Sequence, residues 1–400
     1  MRCKSLATTH ERNTKLSIKN NCDFCNTPTL EHAYTPIRSA RGMEVFVCNR
    51  CGLVQSFPTM PYQSRPPGSM SADADRSSYR YTKDIISERY DECLTQFVDF
   101  SCIVNVLDVG SNRGAFIKYL ETRHPGKRIV GIEPDSSLIA NYNSMTNVSV
   151  QDCRFEHAQL LENYFDFAYC AHTLEHADSA REMLLGIRRA LKPDGLLFVA
   201  VPSLIFYQDI IEEIFIDPHT YHFNFHLLRD FASQIGFTVE YAGKSSDPEL
   251  MLLLRKQGLD ISGWPFTPSK PAHATVAKAE ILRYAEDIHY NRGALKESAR
   301  LLNEAGGRYK VVIWGGGRIF DALVRFGRLD MSKIYLVVDK YLHRYVTTLH
   351  GCRLASPDVL SQDAPDTLLI YIASRDYADE IRAEAETIGI TRFIQFGVVH

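Results

Sequence analysis

Four cysteines near the N-terminus have the spacing of a metal site. They form two pairs with two residues inside each pair and twenty-two between the pairs: Cys22 and Cys25, then Cys48 and Cys51. Two intervening residues let both thiolates of a pair reach one face of an ion, and two such turns complete a tetrahedral four-sulfur Zn²⁺ site. Because protein ligands take all four positions, we expect a structural zinc ion in a module over residues 21–58. Redox-active or incidental cysteines are the alternative.

A second group consists of acids and glycines that follow apolar runs. Asp108 ends such a run in "VLDVGSNRGAF", where Gly110 and Gly114 allow a positive φ or the close approach of a ligand. Glu133 ends the next run in "GIEPD" and can accept hydrogen bonds from both hydroxyls of a ribose. Asp152 follows a third run in "VQDC" and can accept from an adenine amino group. The set predicts a site for an adenosine ligand that carries an amine and no phosphates.

A third group is the histidine-rich stretch "DPHTYHFNFH". It contains His219, Tyr221, His222 and His226 within eight residues. Histidine is the natural general base near neutral pH, and methyl transfer to an enolate carbon or a hydroxyl requires one. We expect His219 to be the base, with His222 as the alternative and Tyr221 beside them in the catalytic loop. A packing role and metal binding by the histidines are the other interpretations.

The elements that must position these residues alternate between strand and helix. From residue 103 to residue 201, short apolar runs alternate with segments of helical periodicity. This pattern predicts an α/β fold with a mostly parallel sheet and helices on both faces. Ligands bind such sheets beyond the carboxyl ends of the strands, where the acids named above fall. We place this Rossmann-like central domain at residues 79–256, with a helix over 79–100 leading into it.

The remaining segments predict two linkers and a second α/β domain. Residues 1–20 are expected to be flexible, and the stretches 58–78 and 258–274 are rich in turn-forming residues. Residues 275–400 begin with a long helical pattern and continue as a small Rossmann-like domain. Its glycine turn, "WGGGRIF", imitates a dinucleotide site, but Phe320 stands at the third glycine position. Enclosure of a substrate, a dimer contact or phosphate binding are alternatives to a redox cofactor.

The central motifs resemble those of a known family. "LDVGSNRGAF", "VGIEPD", "VQDCRFE" and the stretch from "FDFAYCAHTLEHAD" to "LKPDGLLFVAVP" are similar, in order, to the motifs of class I S-adenosylmethionine-dependent methyltransferases. The resemblance implies that the first loop holds the methionine part, Glu133 the ribose and Asp152 the adenine, while His172 faces the crevice near the methyl group. The residues that it assigns to the cofactor are Asp108, Gly110, Asn112, Gly114, Glu133, Asp152 and His172.

The order of domains resembles a narrower group. A four-cysteine zinc module, a class I methyltransferase core and a further α/β domain form the arrangement of the sugar C-methyltransferases. That resemblance implies a nucleotide-activated sugar as substrate and a Tyr-His-Glu-His stretch whose last histidine aligns with His219, although Pro218 stands where the family has glutamate. An O- or N-methyltransferase on another small molecule is the first alternative. An NAD-dependent oxidoreductase that uses the glycine turn at Gly315 and a catalytically silent binding protein are the others.

Composition limits the partners. The 400 residues carry a formal net charge of −3, which gives no general reason to bind nucleic acid or an anionic membrane. The first twenty residues lack the apolar core of a secretory signal, and no apolar run approaches the ~20 residues that span a bilayer. We therefore expect a cytoplasmic enzyme, monomeric or homodimeric, that acts on a small molecule.

Overall fold

The computed structural model describes residues 21–37, 39, 42–59, 86–139, 142, 145–205, 210, 212, 214–258, 272–344, 346–375 and 377–397. The predicted flexible segment 1–20 lies outside these residues, and so do most of the two predicted linkers. Among the helices that the structure describes, none combines the length and the hydrophobicity that a bilayer crossing requires.

The described elements fall into three sheets with their helices. The strands are β1 (Leu30–Tyr34), β2 (Glu44–Cys48), β3 (Val54–Phe57), β4 (Asn105–Val109), β5 (Arg128–Ile132), β6 (Val148–Gln151), β7 (Phe165–Ala171), β8 (Leu191–Pro202), β9 (Tyr221–His222), β10 (Phe237–Ala242), β11 (Glu249–Lys256), β12 (Lys310–Trp314), β13 (Ile334–Val338), β14 (Thr348–Leu349), β15 (Cys352–Ala355), β16 (Leu368–Ile372) and β17 (Phe393–Gln395). The helices are α1 (Glu88–Phe97), α2 (Ala115–Arg123), α3 (Ser136–Ile139), α4 (Ala180–Ala190), α5 (Phe225–Gln234), α6 (Ala272–Ala305), α7 (Arg318–Ala322) and α8 (Ala378–Thr387).

The central sheet has seven strands in the order β10-β11-β8-β7-β4-β5-β6. The five strands from β8 to β6 are parallel, and β11 runs antiparallel to β8. Alternate residues of β4 face two cores, since Leu107 and Val109 pack on the side of α4 and α5 while Val106 packs on the side of α1 and α2. Helices therefore cover both faces of the sheet, which explains why β4 is buried along its whole length. The predicted α/β fold is confirmed.

A small antiparallel sheet carries the cysteine pairs. Its order is β1-β2-β3-β9, so the two-residue strand β9 from the central region completes a sheet that begins near the N-terminus. The ring of Phe24 stacks on that of Phe231 in α5, with 3.7 Å between the ring centroids. The Asp23 carboxylate accepts hydrogen bonds from the Ser179 hydroxyl and from the Arg181 amide. These contacts fix the cysteine-bearing segment against the central domain.

The third sheet lies in the C-terminal part of the chain, in the order β14-β15-β13-β12-β16-β17. Its strands are parallel apart from β14, which gives the predicted second α/β unit. Helix α6 connects two cores: Ile281 and Tyr284 pack with Val45 and Val47 of the small sheet, whereas Leu295 packs in the C-terminal unit. The sequence placed the start of this helix at about residue 275, three residues after the observed start.

The close contact between the small sheet and α6 gives a first prediction. Gly52 has a φ of +80°, and a Cβ there would lie 2.5 Å from the carbonyl carbon of His273. Backbone strain and overlap together are expected to cost about 2–4 kcal/mol in Gly52→Ala, because neither backbone segment can yield cheaply. We expect the thermal unfolding midpoint to fall by roughly 5–10 °C.

The matched control is Gly293→Ala in the interior of α6. Nothing lies within 4 Å of a Cβ at that position, so alanine is expected to stabilise the helix by about 1 kcal/mol. Scanning fluorimetry of both variants tests the contact. Equal midpoints for the two alanine variants would show that the joint at Gly52 does not hold the small sheet to α6.

Candidate active site

The loop after β4 is shaped by the packing of the protein itself. Gly110 and Gly114 have φ angles of +79° and +77°. A Cβ at Gly110 would lie 2.1 Å from the Thr173 hydroxyl oxygen, and one at Gly114 would lie 2.7 Å from a ring carbon of Tyr142. From the sequence, these glycines have two explanations: the close approach of a ligand and a positive φ. The structure shows that the backbone and two neighbouring side chains already require them.

Asp108, at the end of β4, carries a buried and unsatisfied oxygen. The residue is 1 % exposed, and among the described residues its Oδ2 has no hydrogen-bond partner. Burial raises the pKa of this carboxyl to about 7. Leaving a buried carboxylate oxygen unpaired costs free energy, which a ligand that donates a hydrogen bond would recover. The orphaned oxygen therefore fits the amine-bearing ligand that the sequence predicts.

Glu133, at the end of the neighbouring strand β5, organises the same loop. Its Oε2 accepts the amide of Asn112 at 2.7 Å, and its Oε1 accepts the amide of Asp135 at 2.8 Å. Each carboxylate oxygen keeps a second lone pair, so both can still accept from a ribose diol. Burial raises the pKa of Glu133. Asp152 follows β6, is exposed, and adds negative charge beside Glu133. The structure thus brings the three predicted acids to one edge of the sheet.

His172 follows β7 and lies between two carboxylates. Its Nε2 donates to Glu249, and its Nδ1 is 3.5 Å from Oε1 of Glu175. The hydroxyl of Tyr90 lies 3.3 Å from the same Nε2. Although burial lowers it, the pKa of His172 is held well above its usual range by Glu175 and Glu249. His172 is therefore an imidazolium with two carboxylate neighbours. Together the three side chains carry a net negative charge.

Tyr90 and Glu249 are members of this site that the sequence analysis missed. Tyr90 lies on α1, well before the first motif, and Glu249 begins β11, after the last one. The pairing of Glu249 with Pro202 brings this carboxylate to the carboxyl end of β8, beside β7. The only signal in the sequence is an acid at the head of the apolar run "ELMLLL", and it becomes informative once the position of β11 is known.

Tyr221 and His222, two of the predicted catalytic residues, form β9 and are buried. The Tyr221 hydroxyl donates to the carbonyl oxygen of Asp178 at 2.9 Å. Nε2 of His222 lies 2.7 Å from the Ser56 hydroxyl, and burial holds the pKa of this ring well below its usual range. Their polar groups are thus engaged in joining the small sheet to the central domain, a placement that favours the packing interpretation for both. His226, by contrast, lies exposed on α5.

His219, the leading candidate base, has a different environment. It is 9 % exposed, and its Nδ1 lies 2.8 Å from the carbonyl oxygen of Ile214. Burial, together with the neighbouring ring of His176, lowers the pKa of His219 to about 4. The ring is therefore neutral near pH 7, and Nε2 is the nitrogen with an available lone pair. Although burial raises it, the pKa of Glu175 falls to about 2 because of His172 and His176.

The four cysteines fit a tetrahedral metal ion. Their sulfur atoms all lie within 4.8 Å of one another, and the pairs Cys22–Cys51 and Cys25–Cys48 are separated by 3.4 and 3.5 Å. All four are buried and none forms a disulfide. Four thiolates about 2.3 Å from a central Zn²⁺ would be about 3.8 Å apart. The cluster therefore has the size and the donor set that a structural zinc ion requires.

The glycine turn of the C-terminal unit is closed by its own residues. The Asp339 carboxylate accepts the amides of Gly316, Tyr341 and Leu342. A Cβ at Gly316 would lie 2.8 Å from side-chain carbons of Leu342 and Leu349. The turn thus serves the local packing, and its geometry adds no support for the alternative of an NAD site at Gly315.

Two family models match parts of the chain. Residues 107–199 match the family described as "Methyltransferase domain", and residues 307–393 match one described as "C2185-like, N-terminal". The first match begins in β4, ends in β8 and includes Asp108, Glu133 and His172. The core of the central domain, residues 107–199, is therefore similar to a methyltransferase domain.

Three similar proteins align with part of this chain. A tRNA U34 carboxymethyltransferase of Campylobacter curvus is 28% identical over 100 residues, which are 24% of this chain and 33% of that protein. The chain thus spans a third of the length of that curated relative. The structure of an S-adenosylmethionine-dependent methyltransferase from Mesorhizobium loti is 12% identical, with a TM-score of 0.37, and covers 41% of this chain and 96% of that one. A methyltransferase structure from Aquifex aeolicus is 17% identical, with a TM-score of 0.34, over 41% and 88% of the two chains.

Proposed function

We propose that this chain is an enzyme that transfers the methyl group of S-adenosylmethionine to a small molecule. The observation that carries the proposal is the buried Oδ2 of Asp108, which lacks a hydrogen-bond partner within the described structure. It lies beside Glu133 at the carboxyl edge of the domain that matches the methyltransferase family. An amine donor at Asp108 and a ribose at Glu133 satisfy both acids, and S-adenosylmethionine carries both groups.

The residues of the chain act by alignment and electrostatics. When bound, S-adenosylmethionine would supply a methyl carbon for attack by an in-line nucleophile, and the C–S bond would break with S-adenosylhomocysteine as the leaving group. In this proposal Asp108 holds the amine, Glu133 holds the ribose, and Asp152 borders the base. The anionic cluster around His172 favours a positively charged group near it. His219 keeps a neutral Nε2, as the predicted general base requires.

The substrate that we propose is a nucleotide-activated sugar. The support is the order of the parts, a four-cysteine module before the core and an α/β unit after it, which resembles the sugar C-methyltransferases. In this proposal the C-terminal unit encloses the nucleotide, and the four cysteines hold a structural Zn²⁺. Methylation of an oxygen or nitrogen is the second candidate, favoured by Pro218 at the position where that group has a glutamate.

Calorimetric titration of the zinc-loaded chain tests the proposal. S-adenosylhomocysteine is added first, followed by thymidine and uridine diphosphates. Binding of both classes supports a nucleotide-sugar methyltransferase, whereas binding of S-adenosylhomocysteine alone keeps the methyltransferase and removes the proposed substrate. A chain that binds NADH and not S-adenosylhomocysteine would be an oxidoreductase. For a substrate found in this way, deuterium exchange at a sugar carbon separates methylation at carbon from methylation at oxygen.

A further inference from the structure

A second group of side chains of metal-ligating types lies apart from the four cysteines. It consists of Glu175 and His176, from the turn after β7, and His219, from the segment before β9. One donor atom from each residue lies within 4.8 Å of the others. The amide of Thr220 donates to the carbonyl oxygen of Glu175 at 2.8 Å, so the backbone itself holds the two segments together.

The histidines of this cluster are oriented as metal ligands are. Nδ1 of His176 lies 2.9 Å from the carbonyl oxygen of Pro218, and Nδ1 of His219 lies 2.8 Å from that of Ile214. A carbonyl oxygen only accepts hydrogen bonds, so Nδ1 must carry the proton in both rings. The lone pair of each ring is consequently on Nε2. Donation of one ring N–H to a backbone carbonyl is the usual way in which proteins fix a metal-ligating histidine.

The carboxylate of Glu175 is buried and incompletely paired. The residue is 2 % exposed, and Oε2 has no hydrogen-bond partner in the part of the chain that the structure describes. Its other oxygen lies 3.5 Å from Nδ1 of His172 and 3.8 Å from Nε2 of His176. These distances exceed those of good hydrogen bonds. A cation bound to Glu175 would satisfy an oxygen that the protein leaves unsatisfied.

We propose that Glu175, His176 and His219 bind one divalent transition-metal ion. Two imidazoles and one carboxylate form the donor set of zinc sites that keep a position open, and imidazole also suits other first-row ions. Ligand atoms about 2.1 Å from a tetrahedral ion are about 3.4 Å apart. Side-chain rotations that move the donor atoms by about 1 Å would therefore bring them to coordination distance. The His176 side chain is 18% exposed, which gives the ion a way in.

The open position would take an oxygen donor of the substrate. A coordinated hydroxyl loses its proton more readily, which suits a methyl transfer to oxygen. That use of the site rests on the proposed function, whereas metal binding itself does not. In this arrangement His219 is a ligand, and its Nε2 is not free to serve as the general base that the sequence predicts.

Metal stoichiometry tests the proposal. The full chain is dialysed against a weak chelator that leaves four-thiolate zinc in place. It is then titrated with MnCl₂, which binds thiolates poorly, and free Mn²⁺ is followed by electron paramagnetic resonance. We expect one Mn²⁺ per chain in the wild type and at least tenfold weaker binding in His219→Ala and Glu175→Gln. The matched control is His157→Ala, an exposed histidine outside the cluster, which should bind as the wild type does.

Titration of each variant with S-adenosylhomocysteine shows whether it has folded and separates the two proposals. A chain that binds S-adenosylhomocysteine but no Mn²⁺ would overturn the metal site and leave the methyltransferase intact. Wild-type Mn²⁺ binding by both His219→Ala and Glu175→Gln would place the ion elsewhere and would equally overturn this assignment.

Discussion

Asp108→Asn is expected to weaken the binding of S-adenosylhomocysteine at least 100-fold. Asparagine has nearly the same shape but no charge, so it cannot form a charge-assisted bond with the amine of the ligand. A 100-fold loss corresponds to about 2.7 kcal/mol, within the range of a hydrogen bond to a charged group. Calorimetry measures the change directly. The control is Asp99→Asn, because Asp99 is an exposed capping residue and asparagine caps equally well.

The raised pKa of Asp108 adds a dependence on pH. Because this pKa is about 7, the wild-type affinity for S-adenosylhomocysteine should rise between pH 6 and pH 8 as the carboxyl ionises. The stability of the ligand-free protein depends on pH in the opposite direction from the affinity. The pKa of Asp108 is higher in the folded protein than its unfolded value of 3.8. The contribution of Asp108 to stability is therefore fully present below pH ~4 and is lost as the pH rises to about 7.

The asparagine variant should show neither dependence. At pH 8 we expect Asp108→Asn to have a higher thermal midpoint than the wild type while it fails to bind the ligand. If the substitution only damaged the fold, the variant would have a lower thermal midpoint as well as weaker binding of S-adenosylhomocysteine. Wild-type affinity in Asp108→Asn at pH 8 would show that the amine of the ligand lies elsewhere, and the site assigned to Asp108 would then be wrong.

The parts of the site that could be predicted are those encoded within one strand and its following turn. Asp108 and Glu133 each end an apolar run, and in a parallel sheet such ends share one edge. The pattern of residues 103–201 was enough to place both acids correctly relative to the sheet. The predicted bounds of the helix over 79–100 were wrong, because the observed helix α1 spans Glu88–Phe97 and begins after its cap at Ser87.

The parts that could not be predicted depend on pairing between distant segments. β9 pairs with β3, which lies more than 160 residues earlier, and this pairing buries Tyr221 and His222 in a joint between units. From the sequence alone the two residues belong to a loop near the substrate. Glu249, in contrast, was not predicted but lies in the site, because the antiparallel pairing of β11 with β8 brings it to His172.

Loss of the proposed zinc ion should have the second large effect. In Cys48→Ser we expect bound zinc to fall by one ion per chain, because a hydroxyl is a poor replacement for a buried thiolate ligand. A structural zinc ion contributes roughly 10 kcal/mol to the folding of a small module. The module also supports its neighbours, since Val45 and Val47 pack against α6 and Phe24 stacks on α5. We therefore expect the midpoint temperature of the first unfolding transition to fall by more than about 10 °C.

The matched control for this prediction is Cys102→Ser, because Cys102 is exposed and lies outside the cluster. It should keep both the zinc content and the unfolding midpoint of the wild type, as measured by plasma mass spectrometry and calorimetry. Cys48→Ser should lose its zinc even where Glu175, His176 and His219 remain intact, since the two sites share no ligand. Wild-type zinc content in Cys48→Ser would mean that the four sulfur atoms pack together without an ion. The thiols would then stabilise the module only by burial, and serine at position 48 would shift the midpoint by a few degrees at most.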